Sequence, residues 1–311
     1  MSKLTVRLVN VIKLLSFQHD NLRNISDKVV KLQFLTLFKA ISNLVSVDHN
    51  AEDKISKYWV GKSVEEVIDE ADVLFGQGKY LEVYELLNRL KFCNNAEVQW
   101  RIARALFKLS CQTSIRESVR QEMIQEAFDI ISASLATAED SAKVHKWAAI
   151  VIDRKNGMNG LEQRVKNSEI VKSHLMRSCE LDPSDVTAQY LLGRWCYEMS
   201  NITWFQRIIS KLLFGEPPQA SFEEAHQYLA KAEDLHPRFY LQNTYLLGKT
   251  CLKLGQYYRA KHYFGVVGNL PVHNDYEKRC AADAKKLLKR LDKYNLEKGA
   301  LFYEYPFGTH E

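Results

Sequence analysis

Apolar residues recur every three to four positions along most of the chain from residue 63 to residue 294, a spacing typical of amphipathic helices. Glycine, asparagine and proline signals divide this pattern into helices that follow one another in pairs. All six prolines lie at or after Pro183, so the preceding part of the chain lacks the strongest helix breaker. The predicted pairs are Val64–Phe75 with Tyr80–Leu90, Ala96–Leu109 with Glu117–Leu135, and Ala142–Ile152 with Leu161–Leu181, the last two separated by a flexible segment, Asn156–Gly160.

The stretch from Val186 to Val267 contains two copies of one pattern. Each copy carries a Tyr-Leu-Leu-Gly sequence, and both fit the thirty-four-residue helix-turn-helix repeat called TPR, in which a small residue lets the two helices pack closely. A last helix, Tyr276–Tyr294, would cap the stack. The predicted fold class is therefore an all-α, TPR-like helical-repeat solenoid with a C-terminal capping helix. Corresponding residues are Leu192 and Leu247 at repeat position 7, Gly193 and Gly248 at 8, Ala225 and Ala260 at 20, and Leu229 and Phe264 at 24.

Charge and composition divide the chain into three regions. Residues 1–60 form a variable basic N-terminal region with nine Lys and Arg against five Asp and Glu, residues 61–296 form the TPR-like domain, and residues 297–311 form a C-terminal tail. The first 19 residues lack acidic side chains and have apolar residues at helical spacing. They are predicted to be a mitochondrial targeting or membrane-surface helix, or else a helix that docks on the domain or frays in solution. The apolar run from Val29 to Val47 contains two lysines, so we expect no membrane span there.

An insert, Asn201 to Pro218, separates the two helices of the first repeat copy. Its apolar residues predict an amphipathic helix with an aromatic beginning and a proline stop. Repeat packing does not require this helix. Either it fills the concave groove of the solenoid, or it offers a hydrophobic surface to a partner.

The segments around this insert carry a family resemblance. Over roughly residues 64–292 the chain resembles the regulator of microtubule dynamics family. The resemblance implies a TPR-like protein that associates with microtubules and spindles and supports chromosome segregation. Some relatives carry a membrane span or a mitochondrial signal at the N-terminal end, and no such span is expected here. The segments that carry the resemblance are Leu191-Leu192-Gly193-Arg194-Trp195-Cys196-Tyr197, Trp204-Phe205-Gln206-Arg207, Leu213-Phe214-Gly215-Glu216-Pro217-Pro218, Glu223-Glu224-Ala225 and Leu246-Leu247-Gly248-Lys249-Thr250.

No catalytic or cofactor motif stands out. The sequence has no P-loop, dinucleotide fingerprint, H-E-x-x-H or G-x-S-x-G, and the nine histidines share no ligand spacing. The six cysteines form no C-x-x-C pair, so they are predicted to be reduced core residues rather than disulfide or zinc ligands. The near-neutral body lacks the broad positive surface that nucleic acid requires. We therefore expect no enzyme activity, cofactor, metal or nucleic-acid partner.

The repeat register gives the candidate binding residues. Tyr190 and Tyr245 both fall at repeat position 5, and Arg194 and Lys249 both fall at position 9, positions that face the groove in TPR folds. This column, extended by Arg101 or Arg104, is predicted to receive an acidic peptide, and the resemblance makes the acidic tubulin tails the first candidate. The alternative is that these side chains are solvated or pair with neighbouring carboxylates. A second candidate surface is the basic face of the last helix, formed by Lys285, Lys289 and Lys293.

The patterns predict a non-enzymatic helical-repeat binding protein, and the family resemblance implies that it is microtubule-associated and acts in the cytoplasm, cytoskeleton and spindle. Its predicted partners are microtubules and tubulin, with other spindle proteins in the concave groove. Two alternatives stay open. One is an organelle-associated adaptor at mitochondria or ER contacts, which would use the same groove for a partner peptide. The other is an enzyme, which would require a buried polar pocket with perturbed ionisable groups.

Overall fold

The computed structural model describes residues 62–91 and 95–292, apart from the side chain of Leu161. The predicted N-terminal helix, Cys93, Lys293 and the C-terminal tail lie outside the described residues. The described residues form helices joined by turns and short loops. In chain order the helices are α1 (Val64–Gly76), α2 (Tyr80–Asn88), α3 (Ala96–Ser110), α4 (Glu117–Leu135), α5 (Ala142–Met158), α6 (Leu161–Lys166), α7 (Ser168–Leu181), α8 (Val186–Ser200), α9 (Trp204–Leu213), α10 (Phe222–Leu235), α11 (Leu241–Lys253), α12 (Tyr257–Asn269) and α13 (Asp275–Leu291).

These helices form the predicted TPR-like solenoid. Helices α1 and α2, α3 and α4, α5 and α7, α8 and α10, and α11 and α12 pack as successive antiparallel pairs, and each pair packs on the next. Helix α13 packs on α11 and α12 as the predicted capping helix. The fold class predicted from the sequence is confirmed.

The glycines at repeat position 8 allow the two helices of a repeat to approach closely. A Cβ atom on Gly193 would lie 2.7 Å from Cγ of Leu229, and a Cβ atom on Gly248 would lie 2.8 Å from Cε1 of Phe264. Leu229 and Phe264 are both fully buried. Positions 8 and 24 therefore meet in both copies, which confirms the register.

The connection between α5 and α7 differs from the prediction. Helix α5 continues through Asn156 and Gly157 to Met158, so the start of the predicted flexible segment is helical. Asn156 is only 7% exposed, and its side-chain oxygen accepts a hydrogen bond of 3.1 Å from Nδ2 of Asn167. The predicted single helix from Leu161 to Leu181 is instead two helices that meet at Asn167.

Most cysteines lie where the sequence predicted. Cys179, Cys196, Cys251 and Cys280 are buried in the helical stack. Burial raises the pKa of the Cys196 thiol to about 12, so this thiol stays protonated and unreactive. Cys111, in contrast, is exposed at the end of α3, and its assignment to the core was wrong.

Candidate functional site

A cavity of about 330 Å³ lies between α8, α11 and α13, which are the first helices of two repeats and the capping helix. Four of the predicted binding residues line it together: Tyr190 and Arg194 on α8, and Tyr245 and Lys249 on α11. On each helix the tyrosine lies four residues before the cationic residue, so the two side chains lie on the same face of that helix. We call this space the tyrosine cavity, and its other lining residues are Tyr197, Glu198, Gln242, Leu246, Tyr276, Arg279, Cys280 and Asp283.

The capping helix supplies one wall of the tyrosine cavity, which the sequence analysis missed. Tyr276, Arg279 and Asp283 lie three and four residues apart on α13, so they share one face of that helix. The only sequence signal for this role is the polar spacing itself, and the same spacing is common on solvated helix faces. The tertiary packing of α13 on α11 turns this face towards the groove.

Arg194 is held in place by a carboxylate on its own helix. Its Nε donates a hydrogen bond of 2.8 Å to Glu198, one helical turn further along. Burial alone would lower the pKa of Arg194, but the charge and hydrogen bond of Glu198, together with Tyr190 and Tyr276, hold the pKa above its usual range. Burial also raises the pKa of Tyr190 to about 12. Arg194 therefore stays charged, and Glu198 already neutralises much of that charge.

Lys249 and Arg279 line the cavity without a direct ion pair to any described carboxylate. The ammonium of Lys249 lies 5.5 Å from the ring centre of Tyr245 and 5.7 Å from that of Tyr197, and Arg279 lies 5.9 Å from the ring centre of Tyr276. Neither cation forms an ion pair with another residue in the described part of the chain. The carboxylate of Asp283, which is in the same cavity, accepts a hydrogen bond from the hydroxyl of Tyr245.

Arg101 and Arg104 lie apart from this cavity. Both donate to the carboxylate of Asp72 on α1, and Arg101 also donates to Glu97 at 2.6 Å. Arg104 stacks on the ring of Phe75, with 3.7 Å between its guanidinium carbon and the ring centre. These paired arginines lie at the α1–α3 contact. The structure therefore does not bring them together with the four residues of the repeat column.

The basic face of the last helix is also separate. Lys285 and Lys289 are exposed and do not line the tyrosine cavity. The side chain of Lys285 runs past Gly268 of α12, 4.0 Å from where a Cβ atom on that glycine would be. Lys293, the third residue of this predicted surface, lies outside the described residues.

The insert helix α9 covers another part of the groove. Together with α5, α7 and α8 it encloses a second cavity of about 470 Å³, which Ile209 and Phe214 line from the insert side. Arg194 and Glu198 line both cavities and form the wall between them. The opposite face of α9 is open to solvent, with Trp204 74% and Leu212 78% exposed. The insert thus lines the second cavity with one face and presents an apolar surface to solvent with the other.

The described residues offer no metal centre: no three His, Cys, Asp or Glu side chains among them are grouped so that they could hold an ion. No helix within residues 62–91 and 95–292 is both long and apolar enough to cross a membrane. The described residues also form surfaces suited to an interaction, namely the two cavities, the exposed face of α9 and the basic face of α13.

Comparison with known proteins identifies the family. The model of regulator of microtubule dynamics proteins 1 to 3 matches residues 67–292. Regulator of microtubule dynamics protein 1 of Mus musculus is 33% identical, in an alignment that covers 82% of this chain and 84% of the mouse protein. Regulator of microtubule dynamics protein 3 of Xenopus laevis is 32% identical, in an alignment that covers 61% of this chain and 41% of the Xenopus protein. A TPR protein of Thermus thermophilus has a TM-score of 0.48 at 13% identity, covering 72% of this chain and all of its own. The chain belongs to the regulator of microtubule dynamics family.

Proposed function

We propose that this protein binds microtubules at the spindle through acidic tubulin surfaces, and that the tyrosine cavity is the contact site. Its action would be that of a binding protein which supports chromosome segregation, with partner peptides as further ligands of the same groove. The family supports the microtubule part, because the relatives are named regulators of microtubule dynamics.

One observation carries the assignment of the site. Tyr190 with Arg194 and Tyr245 with Lys249 occupy the same two positions of successive repeats, and all four line one cavity on the groove side. Helix α13 adds Arg279 to this cavity, and the net charge of its lining is +1. An acidic segment that crosses the repeats would meet a cation and an aromatic ring from each of them.

The charges predict weak and salt-sensitive binding. An exposed ion pair contributes about 1 kcal/mol or less, and salt screens it over a length of about 8–10 Å. The test is sedimentation of the full chain with microtubules at low and moderate salt, using intact microtubules and microtubules whose acidic tails have been removed. We expect pelleting that weakens with salt and disappears with the tails.

A charge reversal then locates the contact. Lys249→Glu should abolish pelleting, whereas Lys253→Glu should not, because Lys253 lies one turn further along α11 and outside the cavity. The double variant Lys285→Glu and Lys289→Glu tests the basic face of the last helix. If only that variant abolishes pelleting, the contact lies on the basic face of α13 and not in the tyrosine cavity. If the parent protein fails to pellet at every salt concentration, microtubule binding is wrong and the organelle-adaptor alternative takes its place.

A further inference from the structure

Tyr197, one of the residues that line the tyrosine cavity, has a buried hydroxyl without a hydrogen-bond partner among the described residues. Tyr197 is 5% exposed, and its hydroxyl makes no hydrogen bond to any described residue. A buried hydroxyl left unpaired costs about 1–3 kcal/mol. The ring itself packs on Phe222, with 5.7 Å between ring centres, and a phenylalanine would make that contact equally well. Folding alone therefore does not explain the hydroxyl group.

Two cations that form no ion pair with a described residue accompany this hydroxyl. Lys249 lies over the ring of Tyr197, and Arg279 lines the same cavity from α13. The paired Arg194 provides a contrast, because Glu198 satisfies it within its own helix. A group that pairs with Lys249 is brought next to the ring of Tyr197, since the ammonium already lies over that ring. The group required is an anion that can also accept a hydrogen bond.

The charge of the cavity selects the kind of anion. Arg194, Lys249 and Arg279 face Glu198 and Asp283, which leaves a net charge of +1. One carboxylate would neutralise this charge, whereas a doubly charged phosphate would exceed it and would lie near Asp283. Asp283 accepts a hydrogen bond from the hydroxyl of Tyr245, and no hydrogen bond joins it to Tyr197 in this structure.

We propose that the tyrosine cavity binds a single carboxylate of a peptide ligand, which accepts a hydrogen bond from the Tyr197 hydroxyl and pairs with Lys249 and Arg279. The carboxylate belongs either to a Glu or Asp side chain or to the end of a chain. This proposal rests on the proposed function, since it names the group that the acidic ligand places in the cavity.

The test is calorimetric titration of the full chain with a short Glu-rich peptide that has a free carboxyl terminus. Tyr197→Phe should weaken binding about tenfold, the usual effect of losing one hydrogen bond to a charged group. Tyr263→Phe is the matched control, because Tyr263 lies on α12 outside the cavity, and it should bind like the parent. Lys249→Gln should also weaken binding and reduce its salt dependence.

Stability separates loss of the ligand contact from misfolding. Without peptide, Tyr197→Phe should melt at the same temperature as the parent or higher, because it removes an unpaired buried hydroxyl. Saturating peptide should raise the melting temperature of the parent more than that of the variant. Unchanged affinity in Tyr197→Phe would overturn the proposal.

Peptide variants identify the source of the carboxylate. Loss of binding on amidation of the carboxyl terminus indicates the chain end, and loss on replacing Glu with Gln indicates a side chain. Tighter binding of a phosphoserine peptide would overturn the choice of a carboxylate. If the parent pellets with microtubules but binds none of these peptides, this inference is wrong and the proposed function stands. If it does neither, both are wrong.

Discussion

Gly193 of α8 packs directly against Leu229 of α10, so that a Cβ atom on Gly193 would lie 2.7 Å from Cγ of Leu229 and 3.0 Å from its backbone nitrogen. The backbone contact matters because a side chain can rotate away, whereas the backbone of a packed helix cannot. Gly193→Ala should therefore force the two helices apart and lower the free energy of unfolding by about 1–3 kcal/mol. Urea denaturation of the parent and the variant measures this difference.

Gly265 provides the control for this substitution. It lies in the middle of α12, and nothing lies within 4 Å of where its Cβ atom would be. Gly265→Ala should raise the free energy of unfolding by about 0.5–1 kcal/mol, because alanine loses less backbone entropy in a helix than glycine does. Equal effects at the two sites would show that the contact with Leu229 does not set the helix spacing.

This contact explains why the repeat could be predicted from the sequence. Helix packing in a TPR requires a small residue at position 8 and a large apolar one at position 24, so Gly193 and Leu229 both leave a sequence signal. The same register places Tyr190 four residues before Arg194, and α-helical geometry then puts both on one face. Neither inference needs knowledge of distant parts of the chain.

Other features depend on partners that spacing does not reveal. Arg101 and Arg104 meet Asp72, which is 29 and 32 residues away in the sequence, so their ion pairs depend on how α1 packs on α3. Likewise, Asn156 continues α5 because Asn167 donates to its side chain from the following segment. Asparagine next to glycine favours a turn in isolation, and here tertiary packing overrides that preference.

Two histidines form a contact that depends on pH. Nδ1 of His145 lies 2.9 Å from Nδ1 of His174, and Nε2 of His145 lies 2.9 Å from the carbonyl oxygen of Glu139. A carbonyl only accepts, so Nε2 of His145 carries the proton, and Nδ1 of the neutral ring accepts from His174. When both rings are protonated, two N–H groups face each other. The pair is therefore stable only while at least one ring is neutral.

The pKa of His174 gives the direction of the pH effect. Burial and then the neighbouring His145 lower this pKa below its usual value, so the unfolded chain takes up the proton more readily than the folded one. Stability should be full above about pH 6.5 and should fall as the pH drops below it. Denaturation curves at several pH values should show this fall, and His174→Gln should reduce its steepness. His262 is exposed, so His262→Gln should show the same fall in stability as the parent. An unchanged pH dependence in His174→Gln would contradict the assignment of this effect to His174.

Asp185 links the third repeat to the fourth through two different contacts. One oxygen accepts from the backbone nitrogens of Thr187 and Ala188, at 3.0 and 3.1 Å, and caps α8. The other pairs with Lys146 of α5, and both side chains are nearly buried. Burial lowers the pKa of Lys146, although Asp185 opposes that effect. Asp185→Ala would leave Lys146 buried without its partner.

Replacing Asp185 should lower the free energy of unfolding more than replacing Lys146 does. Asp185→Ala should lower the free energy of unfolding by about 3–5 kcal/mol, whereas Lys146→Met should cost less, because methionine tolerates burial and leaves the cap intact. Lys143→Met is the control, since the Lys143 side chain is 42% exposed, far more than that of Lys146, and pairs with the same carboxylate at 3.2 Å. It should change the free energy by about 1 kcal/mol or less. Equal losses from Asp185→Ala and Lys143→Met would mean that the buried pair adds nothing.

The side chains on the exposed face of α9 should contribute little to the free energy of folding. Arg207 holds the helix in place by donating to the carbonyl oxygen of Met199 at 2.7 Å, while Trp204 and Leu212 project into solvent. Trp204→Ser with Leu212→Ser should therefore change the free energy of unfolding by about 0.5 kcal/mol or less for each substitution. The same double variant should bind less of a hydrophobic dye, since it removes the apolar patch.

Val73→Ser is the control for the dye measurement. Val73 is 60% exposed on α1, away from the insert, so its loss should leave dye binding unchanged. A large loss of stability in the double variant would mean that Trp204 and Leu212 pack on the solenoid in solution. If stability and dye binding both stay at the parent values, the dye binds elsewhere, and the second cavity beneath Ile209 is the next site to test with Ile209→Ser. Because Ile209 faces that cavity while Trp204 faces solvent, the two substitutions separate the two faces of one helix.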